Sequence, residues 1–121
     1  MRAWLVWKVL AVTLDKLEEA CEAISSVAHR WTVEPPTAKR GISRVTVEYS
    51  NPDEYGFPRP IRATFIAVYH DSLENWVVFL NSLGCTRVSG PGVKTTYEPY
   101  LAVMEPLEAY FEKHYAWSLK Q

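Results

Sequence analysis

Seven residues in the middle of the chain carry the side chains best suited to holding a ligand. Arg44, Arg59, Arg62, Arg87 and Lys94 are cationic, and Tyr55 and Phe57 are aromatics on the loop Ser50-Asn-Pro-Asp-Glu-Tyr-Gly-Phe-Pro-Arg-Pro60. Aromatic faces stack on nucleobases, each contact worth about 1–3 kcal/mol, while guanidinium and ammonium groups neutralise phosphates. Such a set holds a single strand without reading base edges, which suits a site lacking Asn or Gln readers. Pro52, Pro58 and Pro60 stiffen the loop, so less entropy is lost when a strand docks. The competing role for Tyr55 and Phe57 is to fold back over the edge of the core.

No other set of residues has the spacing that catalysis or metal binding needs. His29, His70 and His114 fall on two predicted helices and a strand end, none with a His or Cys at ligand spacing. Cys21 and Cys85 form no C-x-x-C pair, and Cys21 falls on an apolar helical stripe, as a small core residue does. Asp53 and Glu54 on the proline-rich loop read as solvated charges. Ser89-Gly-Pro-Gly-Val-Lys94 has the wrong glycine spacing for a phosphate loop and reads as a plain turn. These readings predict no catalytic residue, no metal and no cofactor, and hence a binding protein rather than an enzyme.

The totals set outer bounds. A chain of 121 residues has room for one domain, residues 1–121, with one core. A net charge of −1 gives no global attraction for a polyanion, but the charges are segregated. Asp15, Glu18, Glu19 and Glu22 lie on one predicted helix and Glu105, Glu108 and Glu112 on another, whereas the cations named above lie between them. No run approaches the eighteen or so apolar residues of a membrane span, and two cysteines fit a cytoplasmic setting better than a disulfide scaffold.

The elements that must position the seven residues follow from periodicity. Ile42–Tyr49 alternates, with Val45, Val47 and Tyr49 on the predicted buried face and Arg44, Thr46 and Glu48 on the wet one. Ile61–His70 is a second strand, and Ala3–Val12 a first, apolar on both faces. Thr13 is the predicted N-cap of a helix running to about Trp31. Asp71 and Glu74 have capping-box spacing and open a helix over 72–83, with Gly84 just past its end. Cys85–Ser89 and Val93–Met104 read as strands, Pro99 marking an edge, and Pro106 opens a last helix. The resulting order β-α-β-β-α-β, with an extra strand and C-terminal helix, predicts an α+β fold. Its expected form is a ferredoxin-like α/β sandwich, a four- to five-stranded antiparallel sheet with helices on one face.

With the aromatic opening strand Ala-Trp-Leu-Val-Trp-Lys-Val, the amphipathic helix after it, the Arg44 and Arg62 strands and the many tryptophans and tyrosines, the chain resembles the ThermoDBP family of archaeal single-stranded DNA-binding proteins. The resemblance covers most of the chain as a pattern of elements. It implies a thermophile's protein with a cleft of aromatic and basic residues that binds single-stranded DNA, or RNA, without sequence preference. It also implies a homodimer joined through a C-terminal helix. Two other classes stand beside it. A protein–protein interaction or dimerisation module would show a contiguous exposed apolar sheet face. A small-molecule enzyme would show a buried carboxylate or histidine with a strongly shifted pKa in a pocket.

Overall fold

Thr13 ends a short strand and caps the helix that follows, its hydroxyl accepting the Lys16 N–H at 3.4 Å. The computed structural model describes residues 11–52, 58–87 and 97–116, with side chains at 11–50, 60–84 and 101–114. Its strands are β1 (Ala11–Thr13), β2 (Arg30–Glu34), β3 (Ile42–Pro52), β4 (Pro58–His70) and β5 (Asn75–Arg87). Helix α1 (Leu14–Ile24) links β1 to β2, and α2 (Tyr97–Phe111) follows β5 and runs into a π-helical turn, Glu112–Ala116.

All strand pairs are antiparallel and the sheet order is β1-β5-β4-β3-β2. The alternation in β3 holds: Val45 and Val47 are fully buried, and Arg44, Thr46 and Glu48 point the other way. Ile61, Ala63, Phe65 and Ala67 of β4 and Trp76, Val78 and Leu80 of β5 continue the buried face. Leu14, Leu17, Ala20 and Cys21 of α1 and Val103, Met104, Leu107 and Phe111 of α2 join them in one apolar cluster. Both helices therefore cover the same face, and the α+β class is as expected.

Among the described residues the order of elements is β-α-β-β-β-β-α, not the expected β-α-β-β-α-β. The first helix stops at Ile24 instead of reaching Trp31, and an unforeseen strand, β2, carries Trp31. Ser25 makes the break. Its backbone is extended, and its hydroxyl donates to the Cys21 carbonyl at 2.8 Å while accepting the Trp31 N–H at 3.0 Å. One side chain thus satisfies a helix-end carbonyl and an edge-strand amide that the sequence alone leaves open.

Residues 72–83 are not a helix either. Asp71–Glu74 is the tip of the β4–β5 hairpin, with the Glu74 N–H on the Asp71 carbonyl at 3.1 Å and Glu74 at φ 52. Leu73, Trp76, Val77, Leu80 and Leu83 have helical spacing but do not form one face: Leu73 lies in the turn, Trp76 and Leu80 face the core, and Val77 faces outward. Thr64 pairs with Gly84 but Ile66 with Phe79, so the extra residues of β5 bulge out opposite Phe65. The bulge switches the β5 positions in register with the buried residues of β4 from even to odd. Ser82 closes the gap, its hydroxyl accepting the Ile66 N–H at 2.8 Å and donating to the Phe79 carbonyl at 2.6 Å. The chain expected as a strand up to Met104 is helical from Tyr97. Pro99 sits in the first turn, where a missing N–H is harmless, and Pro106 lies inside α2 instead of opening it. The expected strand over 3–10 and the turn at 90–92 lie outside the described residues.

Two stability measurements follow. Ser25→Ala should lower unfolding stability in urea by about 1–3 kcal/mol, since a carbonyl and an amide each lose a partner; an unchanged midpoint would remove Ser25 from this role. Gly84→Ala should leave stability the same or raise it by up to about 1 kcal/mol, because a Cβ there meets nothing within 4 Å and Gly84 does not adopt positive φ. A clear loss would instead point to the left-handed glycine of a helix end.

Candidate functional site

Of the seven nominated residues, the structure places Arg44 and Arg62 on one surface. Both are exposed on the sheet face opposite the helices. Arg44 pairs across the sheet with Ile66 and Arg62 with Glu48. The two arginines are separated by the Arg62–Ile66 span of β4, about 13 Å. They differ in electrostatic state. Arg62 forms an ion pair with Glu48 at 3.3 Å, whereas Arg44 has no ion pair among the described residues. Arg59 pairs in register with Asn51 and Arg87 with Ile61, positions in phase with the buried face; their side chains lie outside the described residues. Tyr55, Phe57 and Lys94 lie outside the described residues altogether.

The register lays out the outer face in rows, because cross-strand partners share a side of the sheet. One row runs Thr13, Val77, Val68, Ile42, and the next Ala11, Phe79, Ile66, Arg44. Beyond them the character changes to Thr64, Thr46 and Glu34, then to Arg62, Glu48 and Thr32. Half of the face is therefore apolar and half polar. Ile42 is 76% and Ile66 42% exposed, while Val68, Val77 and Phe79 are half-buried. Arg30, Arg44 and Arg62 oppose Glu34 and Glu48, so the described strand residues of this face carry a net charge of only +1, three cations less two anions.

A second cluster went unnoticed in the sequence because it depends on β2. Trp31 pairs with Tyr49 across the strands, with ring centroids 4.5 Å apart, and the Tyr49 hydroxyl meets His29 Nδ1 at 3.0 Å. Burial raises the Tyr49 pKa above its ordinary 10.0. The rings close the end of the core beside the β2 edge. Next to them α1 and β2 form a groove of about 790 Å³, walled by Asp15, Glu18, Glu19 and Glu22 and faced by Arg30. Its carboxylates would repel a phosphate backbone. Cys21 on its inner side is no nucleophile: burial first, then the charge of Glu18, push its thiol up to about 12 from an ordinary 9.0. Among the described residues no three His, Cys, Asp or Glu side chains are grouped to hold a metal ion, and no helix is long and apolar enough to cross a membrane. Compared with known proteins, the chain matches no family model, no curated protein and no solved structure.

The raised Cys21 value fixes a pH dependence. Below 9.0 the thiol is protonated in folded and unfolded chains alike. Above it the unfolded chain loses the proton while the folded chain keeps it up to about 12, so stability should fall as pH rises through this window. Tyr49, also raised, acts in the same direction above pH 10.0. Urea unfolding at several alkaline pH values should show the decline, and Cys21→Ala should flatten part of it. A decline that Cys21→Ala leaves intact would assign the effect to other groups.

Proposed function

We propose that this chain is a protein-interaction module that docks through the apolar half of its outer sheet face. The observation that carries the reading is the contiguous row structure of Ile42, Val68, Val77, Ile66 and Phe79, with both isoleucines open to solvent. A set of large apolar side chains collected on one side of a sheet and rimmed by polar residues is how docking surfaces are built. The near-neutral charge of the face supports a protein partner over a polyanion, since affinity for a phosphate backbone comes mainly from cations that displace its counterions. No catalytic step is assigned to the module.

A second reading, single-stranded DNA binding as the ThermoDBP resemblance implies, is favoured by one placement on the sheet. Arg44, without an ion pair among the described residues, lies in the same row as Phe79, two strands or about 10 Å away with Ile66 between them, so a cation and an aromatic ring share one open face. Against it, Arg62 is neutralised by Glu48.

The two readings separate in solution. Under the first, Ile42→Thr and Ile66→Thr at low protein concentration should each change stability by no more than about 0.5 kcal/mol, as solvent-facing substitutions do. Fluorescence titration with oligothymidine at low salt should give no signal. A loss of several kcal/mol would make the face part of the chain's own core and end the docking reading. Binding that weakens with salt, at a slope near −0.7 per phosphate contact, would establish the second reading instead.

A further inference from the structure

The geometry points to a second copy of this chain as the occupant of the outer face, in a two-fold dimer with Ile66 close to the axis. This rests on the docking reading above and names its partner.

Size is the first argument. Five strands about 4.8 Å apart make the sheet about 19 Å wide, and β3 runs about 27 Å from Ile42 to Ser50; with β1 and β2 short, the whole outer face, polar rows included, projects to roughly 300–400 Å². A stable interface covers roughly 800 Å² per partner, so a dimer through this face has to take in the polar rows and the rim as well as the apolar half. Charge is the second. Three arginines against two glutamates leave the face close to neutral, so two copies of it meet without a large net repulsion. Topology is the third. A two-fold interface needs a patch that can face itself, and β4, which carries Ile66 and Val68, is the central strand of the order β1-β5-β4-β3-β2. Apolar residues on the middle strand and its two neighbours can therefore sit over their own counterparts, with the polar rows as rim.

The apolar stripe of α2 is not available for the same purpose. Val103, Met104, Leu107 and Phe111 are buried against the sheet. The expected dimer through a C-terminal helix would have to use other residues of that helix.

In a two-fold interface a residue near the axis meets itself, and a single cysteine there cross-links to its twin. The test is Ile66→Cys in a Cys85→Ser background under mild oxidation with copper–phenanthroline, read on a non-reducing gel, with Thr32→Cys at the edge of the same face and the background alone as controls. Cys21 is buried and stays unreactive. The expected result is a disulfide dimer for Ile66→Cys and monomers for both controls. Sedimentation of the unmodified chain should show a mass that rises with concentration, and Ile66→Asp should weaken association about tenfold or more. A monomeric mass at every concentration overturns the dimer yet leaves docking of another protein in place, because that reading depends on the threonine variants and the titration. Association without an Ile66→Cys cross-link, or unaffected by Ile66→Asp, puts the interface elsewhere and also overturns the proposal.

Discussion

The fold hangs on one connection: α1 must join strands that lie at opposite edges of the sheet. β1 and β2 are consecutive in the chain yet terminal in the order β1-β5-β4-β3-β2. Four inter-strand gaps span about 19 Å, and the eleven residues of α1 rise about 16 Å. The helix therefore has to cross the sheet, and it does so with Leu14, Leu17, Ala20 and Cys21 buried beneath it. Ser25 completes the crossing by tying the helix end to the edge strand it has just reached. Once α1 lies on the inner face, α2 packs beside it on the remaining apolar surface, and among the described residues neither helix is left for the other side.

That asymmetry is what gives the outer face its importance. Burial on one face is dense, from Val45 and Val47 through Phe65 to Val78. On the other, Ile42 and Ile66 stand in solvent, and Val68, Val77 and Phe79 are only partly covered. A surface of this kind costs the free monomer about 25 cal/mol for each Å² of apolar area kept in water, which is recovered only when something covers it. The polar rows beside it, held by the Arg62–Glu48 pair, do not share that tendency and mark its limit.

The β5 irregularity links the two faces. Without it the β5 positions that pair with Ala63 and Ile61 could not be in phase with Trp76 and Val78, because a regular strand alternates. The bulge lets one long strand supply inner-face positions at both ends while keeping Phe79 in the outer row. Ser82 makes this tolerable by replacing a lost backbone pairing with its hydroxyl.

What the sequence determined by itself were the strictly local periodicities. The alternation of Ile42–Tyr49, the strand at Ile61–His70, the Thr13 cap and the apolar stripe of Leu14, Leu17 and Cys21 each depend on residues a few positions apart, and each reappears in the structure. The elements that were misread depend on partners far along the chain. β2 exists because Trp31 finds Tyr49 and Ser25. The run 75–87 is a strand because His70 and Val68 pair with Asn75 and Val77. The same holds for the site. Arg44 and Arg62 were legible as wet positions on strands, but only the tertiary register set Ile42, Ile66, Val68, Val77 and Phe79 side by side. No single strand carries more than two of those five residues, so no window of sequence contains the patch.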